Sequence, residues 1–266
     1  MGSEKEPPIL VVHQPHNMAH VRLITINRPA LRNALNAEVA HMLCDAIRDA
    51  DQDPSVRVVV LTGAGETAFC AGADLSGIFA DVGSALEGGT SAFATLFSAM
   101  RHGGVPIVAA VNGVAVGGGF GLVLAADLVV MSSLARVGTP EVRRGLFAMF
   151  ISRFMYEVMP EKIANEILFL GETLSADEAK LLHIANRVVL PEEVLPTAFE
   201  LARRIAEHSG SVLRKGKRAI RKQKDMTFPE ANAFLGKQLA ENLTLADASE
   251  GIKAFFEKRK PVWKDC

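Results

Sequence analysis

Cysteine is scarce in this chain. Cys44, Cys70 and Cys266 are too few and too scattered for a disulfide scaffold, and a reducing compartment is the simplest reading. Charge of one sign is lacking as well. The 29 lysines and arginines are matched by 30 aspartates and glutamates, a formal net charge of −1. No global field therefore draws nucleic acid or an acidic membrane, and neither partner is expected. None of the seven histidines has metal-ligand spacing such as HExxH, and no GxxxxGK[ST] phosphate loop occurs. No metal and no nicotinamide cofactor is expected. Residues 1–6 carry two glutamates, Glu4 and Glu6, and no apolar core, so they do not read as a secretory signal. They are not Arg-rich either, as a transit peptide would be. The myristoylation pattern fails at Glu6, and Cys266 is terminal rather than fourth from the end. A cytoplasmic protein is expected, or one of the mitochondrial matrix if a presequence had been removed. Internal repeats and low-complexity tracts are lacking too.

What the chain does have is glycine in telling places. Gly117-Gly118-Gly119 lies between two apolar runs, residues 107–111 and 122–126. Consecutive glycines are conformationally expensive, because glycine loses the most backbone freedom on folding. They make sense where bare backbone must approach a ligand, and at a helix start they also present unpaired N–H groups and the positive dipole end. A second glycine loop, Ala71-Gly72-Ala73-Asp74-Leu75, lies upstream. Two such loops could hold one developing oxyanion between them, which points to an enzyme acting on a carbonyl.

The remaining pattern is that of a globular α/β chain. At 266 residues, 49% hydrophobic and 22% charged, it can bury a large core as one domain. Residues 20–26, 56–61, 107–111, 128–131 and 186–190 read as strands, and 36–50 has helical spacing. Ser175 with Glu178 reads as a capping box, and Asp247 with Glu250 as another that opens a final helix. Alternating strands and helices suggest a layered core with parallel pairing. From about residue 196 the pattern turns helical, so the chain divides into a core, 1–195, and a helical tail, 196–266. Two decoys deserve weighing. Residues 105–126 carry no charge over 22 positions, long enough for a membrane span, but Pro106, Asn112 and five glycines interrupt them. Gly63-Ala64-Gly65-Glu66-Thr67-Ala68 matches a dinucleotide fingerprint, yet the next glycine loop follows at once where a helix is required. A turn is the better reading.

The loops Ala71-Gly72-Ala73-Asp74 and Ala110-Val111-Asn112-Gly113 through Gly119, followed by Gly138-Thr139-Pro140-Glu141, resemble the enoyl-CoA hydratase/isomerase (crotonase) superfamily. The likeness runs from Ile24-Thr25-Ile26-Asn27-Arg28-Pro29 to Glu257-Lys258-Arg259-Lys260. It implies a spiral of ββα turns with a C-terminal helical trimerisation region, and a homotrimer or hexamer. It implies an acyl-CoA substrate, with coenzyme A entering as part of the substrate and no separate cofactor. It places the Ala73 and Gly118 amides on the thioester oxygen. Ala71, Gly72, Asp74, Leu75 and Gly117 line the substrate site, and Lys258 reaches the coenzyme A phosphates, often of a neighbouring subunit. Lys258 reads equally well as a solvated helix end. The run Arg214, Lys215, Lys217, Arg218, Arg221, Lys222 and Lys224 reads as a solvated helix face, though one branch of the family binds RNA.

Glu141 matches one of the two catalytic carboxylates of the hydratases. Its bland alternative is a surface glutamate paired with Arg143 or Arg144. The other hydratase carboxylate falls at Gly121, which has no side chain, and the extra acid of the dienoyl isomerases falls at Met149. Hydration divides its work between two acids, whereas one acid suffices to move a proton between two carbons of one substrate. An isomerase of 3-enoyl to 2-enoyl thioesters is therefore expected. The alternatives are a hydratase or decarboxylase of the same superfamily, or a catalytically weak acyl-CoA-binding protein.

Overall fold

The computed structural model describes residues 7–75 and 91–265. A six-stranded sheet forms its centre, in the order β1 (Ile9–His13), β2 (Val21–Ile26), β3 (Val58–Gly63), β5 (Ile107–Val111), β7 (Leu128–Ser132) and β10 (Arg187–Val189). Only β1 runs antiparallel to its neighbour. A smaller four-stranded sheet holds β4 (Ala68–Cys70), β6 (Val114–Val116), β8 (Arg136–Gly138) and β9 (Thr173–Ser175). Successive chain segments give one strand to each sheet: β3 then β4, β5 then β6, β7 then β8. After β6 comes helix α3 (Gly118–Ala125), and this alternation is the ββα spiral that the resemblance implies.

The central strands are buried on both faces, as in other covered parallel sheets. Val59, Leu61, Ile107, Ala109 and Val111 face a core shared with helices α1 (Ala37–Gln52), α2 (Ala92–His102) and α3. Val58, Val60, Val108 and Ala110 face the other way, onto Val194, Ala198, Phe199 and Ala202 of α7 (Val194–Ala206). The division at 195/196 thus falls inside a helix that covers the sheet. Helix α1 starts where Asn36 accepts a bond from the Val39 N–H, and buries Val39, Leu43, Ile47 and Ala50 at helical spacing. Helices α4 (Met149–Val158), α5 (Glu161–Leu170) and α6 (Ala176–Leu181) follow; the Ser175–Glu178 capping box opens α6 as read.

Residues 105–126 fold as β5, β6 and α3, and among the described residues no helix is long and apolar enough to cross a membrane. Gly63 to Thr67 joins β3 to β4 without a helix, so the fingerprint there is a turn.

Three helices close the chain: α8 (Gly210–Lys222), α9 (Phe228–Leu243) and α10 (Ala246–Phe256). Two expectations about them need correction. The basic run is no solvated face, because α8 turns much of it inward. Arg214 donates to the carbonyls of Ala50, Asp51, Asp53 and Val56, satisfying the orphaned acceptors at the end of α1. Lys217, buried, donates to the Val105 carbonyl at 2.8 Å and pairs with Asp127 at 2.7 Å; Arg221 joins the same carboxylate. Nor does Asp247 cap α10. It is buried, accepting from Ser209 Oγ at 2.6 Å and from the backbone N–H groups of Lys264 and Asp265. Glu250 binds Arg259 instead.

Candidate active site

The two glycine loops meet at the mouth of α3. Gly72 has φ +91°, and a Cβ there would come within 2.8 Å of the Val116 carbonyl oxygen and 3.2 Å of the Gly118 nitrogen. Only glycine serves at such a position. A Cβ on Gly118 would stand 3.7 Å from the Ala73 nitrogen. The Ala73 loop is fixed by its flanks: Leu35 donates to the Gly72 carbonyl, and Asp74 donates to that of Leu35. The Gly117 N–H is spent on Gly138. Neither the Ala73 nor the Gly118 N–H has an acceptor among the described residues. Two preset, unspent donors facing one space are what an oxyanion site requires.

Glu141 lies across from them, in the first turn of a 3₁₀ segment, Pro140–Arg144. The segment is anchored by buried Thr139, whose hydroxyl donates to the Ile167 carbonyl at 3.3 Å. Its carboxylate sits over the bare α-carbon of Gly117, where a Cβ would come within 3.0 Å of Oε1. Gly117 also has φ +57°, so the position admits no other residue without strain. Oε2 of Glu141 is buried and has no hydrogen-bond partner among the described residues. Burial pushes the carboxyl above the usual glutamate range, while its own backbone N–H and the Arg144 charge pull partly back. No ion pair holds Glu141 to Arg143 or Arg144, so the surface-pair alternative fails. An unpartnered, desolvated carboxylate is a proton acceptor poised for work.

These groups open into a cavity of about 740 Å³. Ala71, Gly72, Ala73, Leu75, Gly117, Gly118 and Glu141 all line it, and among the described residues Glu141 is the only acid that does so. Asp74 does not line it; its carboxylate pairs with Arg28 at 3.3 Å and so supports the loop. Lys258, at the exposed end of α10, does not reach the cavity of its own chain. Burial pushes the Cys70 thiol, just behind the loop, up to about 12, so no thiolate is available there.

Beside Gly121 the wall is apolar, and sequence reasoning missed most of it. Phe93 and Phe97 of α2 and Ile151 of α4 line the cavity, with Phe147 and Phe150 nearer the solvent. The spacing of Phe93, Leu96, Phe97 and Met100 could have revealed the helix, though not the glycine that it faces. A Cβ on Gly121 would lie 2.6 Å from Phe97 Cζ and 3.3 Å from Ile151 Cγ1. The ground on which a second carboxylate would stand is filled by a ring.

One family model and several known proteins are similar to this chain. The family model described as enoyl-CoA hydratase/isomerase matches residues 16–266. A short-chain-enoyl-CoA hydratase of Clostridium acetobutylicum is 33% identical over 247 residues, covering 90% of this chain and 92% of its own. A carnitinyl-CoA dehydratase of Salmonella arizonae is 34% identical over 253 residues, covering 91% and 94%. The crystal structure of an enoyl-CoA hydratase from Mycobacterium tuberculosis superposes with a TM-score of 0.87 at 35% identity, over 98% of this chain and 100% of that one.

Proposed function

The chain belongs to the enoyl-CoA hydratase/isomerase family, and on that premise we propose that it isomerises 3-enoyl-CoA thioesters to 2-enoyl-CoA with Glu141 as its single proton carrier. The Glu141 carboxylate takes a proton from C2. The electron pair of that C–H bond moves into the thioester, and the Ala73 and Gly118 amides hold the dienolate oxygen. The new carboxylic acid then returns the proton at C4, the double bond settles between C2 and C3, and Glu141 is restored. One observation carries the reading: Glu141 is the single acid of the cavity among the described residues, and Phe97 fills the space beside Gly121 where a second would stand. Hydratase and dehydratase activity is the second reading, favoured by the relatives' names.

Turnover of a short 3-enoyl-CoA panel, comparing the unmodified protein with Glu141→Gln, tests the proposal. Turnover that disappears in the variant supports it. A protein that binds acetyl-CoA in calorimetry yet turns over neither this panel nor crotonyl-CoA is an acyl-CoA binder instead. Coenzyme A should bind saturably, and chelators should leave that binding unchanged.

The proposal extends to assembly as a trimer or a pair of trimers. Phe228, Leu239, Phe255 and Phe256 of the tail are exposed in the single chain, more apolar surface than a monomer ordinarily leaves uncovered. Light scattering should find three or six subunits. A monomer would remove both the assembly and a role for Lys258 across subunits.

A further inference from the structure

Phe97 is placed with more care than a core residue needs. It lies one turn beyond Phe93, whose ring approaches within 3.7 Å of where a Cβ on Gly118 would be, beside the oxyanion donors. Its own ring packs edge-on against Phe154 of α4 at 5.5 Å between centroids. One turn further along α2, Arg101 grips Glu157 of α4 through two bonds, at 2.6 and 2.7 Å, and lies over the Phe154 ring. Helices α2 and α4 are thus pinned to each other, with Phe97 wedged between them against Gly121.

The position matters along the substrate. Gly121 stands about 4.5 Å up the α3 axis from Gly118, roughly three or four bonds of an extended chain. An acyl chain whose carbonyl oxygen sits at the Gly118 amide, and which runs along α3, comes level with Phe97 about three to four bonds beyond that oxygen, at C3 and C4. Those are the carbons that water would attack, or that a returning proton must reach. A resident water needs two to four polar partners, and Phe93, Phe97 and Ile151 have no polar side-chain atom to offer.

We propose that Phe97 determines the reaction's outcome: its ring keeps water from C3 and C4, so that Glu141 returns the proton it removed. This rests on the isomerase reading. The test is isomerisation of 3-hexenoyl-CoA in heavy water, with deuterium at C4 of the product read by mass spectrometry, alongside hydration of crotonyl-CoA. The unmodified protein should return mostly the substrate's own proton. Phe97→Ala should raise the deuterium share several-fold and bring measurable hydration, and Phe97→Val should move both in the same direction should the alanine variant fail to fold. Phe97→Leu, which keeps the wall filled and apolar, should keep the deuterium share low. A folded Phe97→Ala or Phe97→Val with unchanged deuterium share and no hydration overturns the role of Phe97 and leaves the isomerase standing. An unmodified protein that does not isomerise at all overturns the isomerase reading first.

Discussion

The two walls of one cavity differ in how they are built. On the Glu141 wall the backbone is out of the ordinary: Gly72 and Gly117 have positive φ, and among the described residues two amides are unspent and one buried carboxylate oxygen lacks a partner. On the Phe97 wall apolar side chains from two helices pack against the glycine of a third. On the proposed reading, function lies where local rules are broken, and the intact wall limits what the broken one can do.

The strongest way to break the comparison is to disarm the reactive wall. Glu141→Gln should lower isomerisation by about 10²–10⁴, the usual worth of one general acid–base group, measured as initial rates at saturating substrate. A smaller loss should follow from Gly117→Ala. Backbone strain at this φ costs about 1–3 kcal/mol, and the new methyl would displace the carboxylate, so kcat should fall by about tenfold or more. Acetyl-CoA binding should survive both changes.

Gly121→Glu attacks the packed wall. It should not create a hydratase, because Phe97 and Ile151 already occupy the space. Overpacking of about 1–3 kcal/mol should appear instead as a lower melting temperature. The smallest effect is one of stability and pH. The Glu141 carboxyl is held above its ordinary range by burial, so the folded protein holds this proton where the unfolded chain has lost it. Stability therefore falls as pH rises from the ordinary glutamate range through the raised one, and the penalty persists above it. Glu141→Gln removes it, and should melt higher than the unmodified protein at neutral pH, by about 1 kcal/mol for one unsatisfied group. The gap should close on acidification. Isomerisation runs the opposite way, failing as pH drops through the same raised range.

Much of this was legible in the sequence. Strands β3 and β5 declare themselves as short β-branched runs, and α1 by its spacing and Asn36. The two glycine loops were legible because consecutive glycines are costly unless used, whereas Glu141 was legible only through the family resemblance of its Gly-Thr-Pro-Glu setting. The small sheet was not. Strands β4, β6, β8 and β9 have three residues each, too few to show alternation, and exist because each pairs with a neighbour one spiral turn away. The inward role of Arg214 and Lys217 was hidden for a related reason: composition reports charge, not which carbonyls lack a donor. Phe97 was invisible because its meaning lies in Gly121, which touches it only in the fold.

The most direct test of the central claim is the ratio of two rates in the unmodified protein: isomerisation of 3-hexenoyl-CoA and hydration of crotonyl-CoA, under one set of conditions. One carboxylate facing a dry wall predicts isomerisation faster by about 10² or more, the least that losing a second acid–base group should cost hydration. Hydration as fast as isomerisation, or faster, would contradict the account.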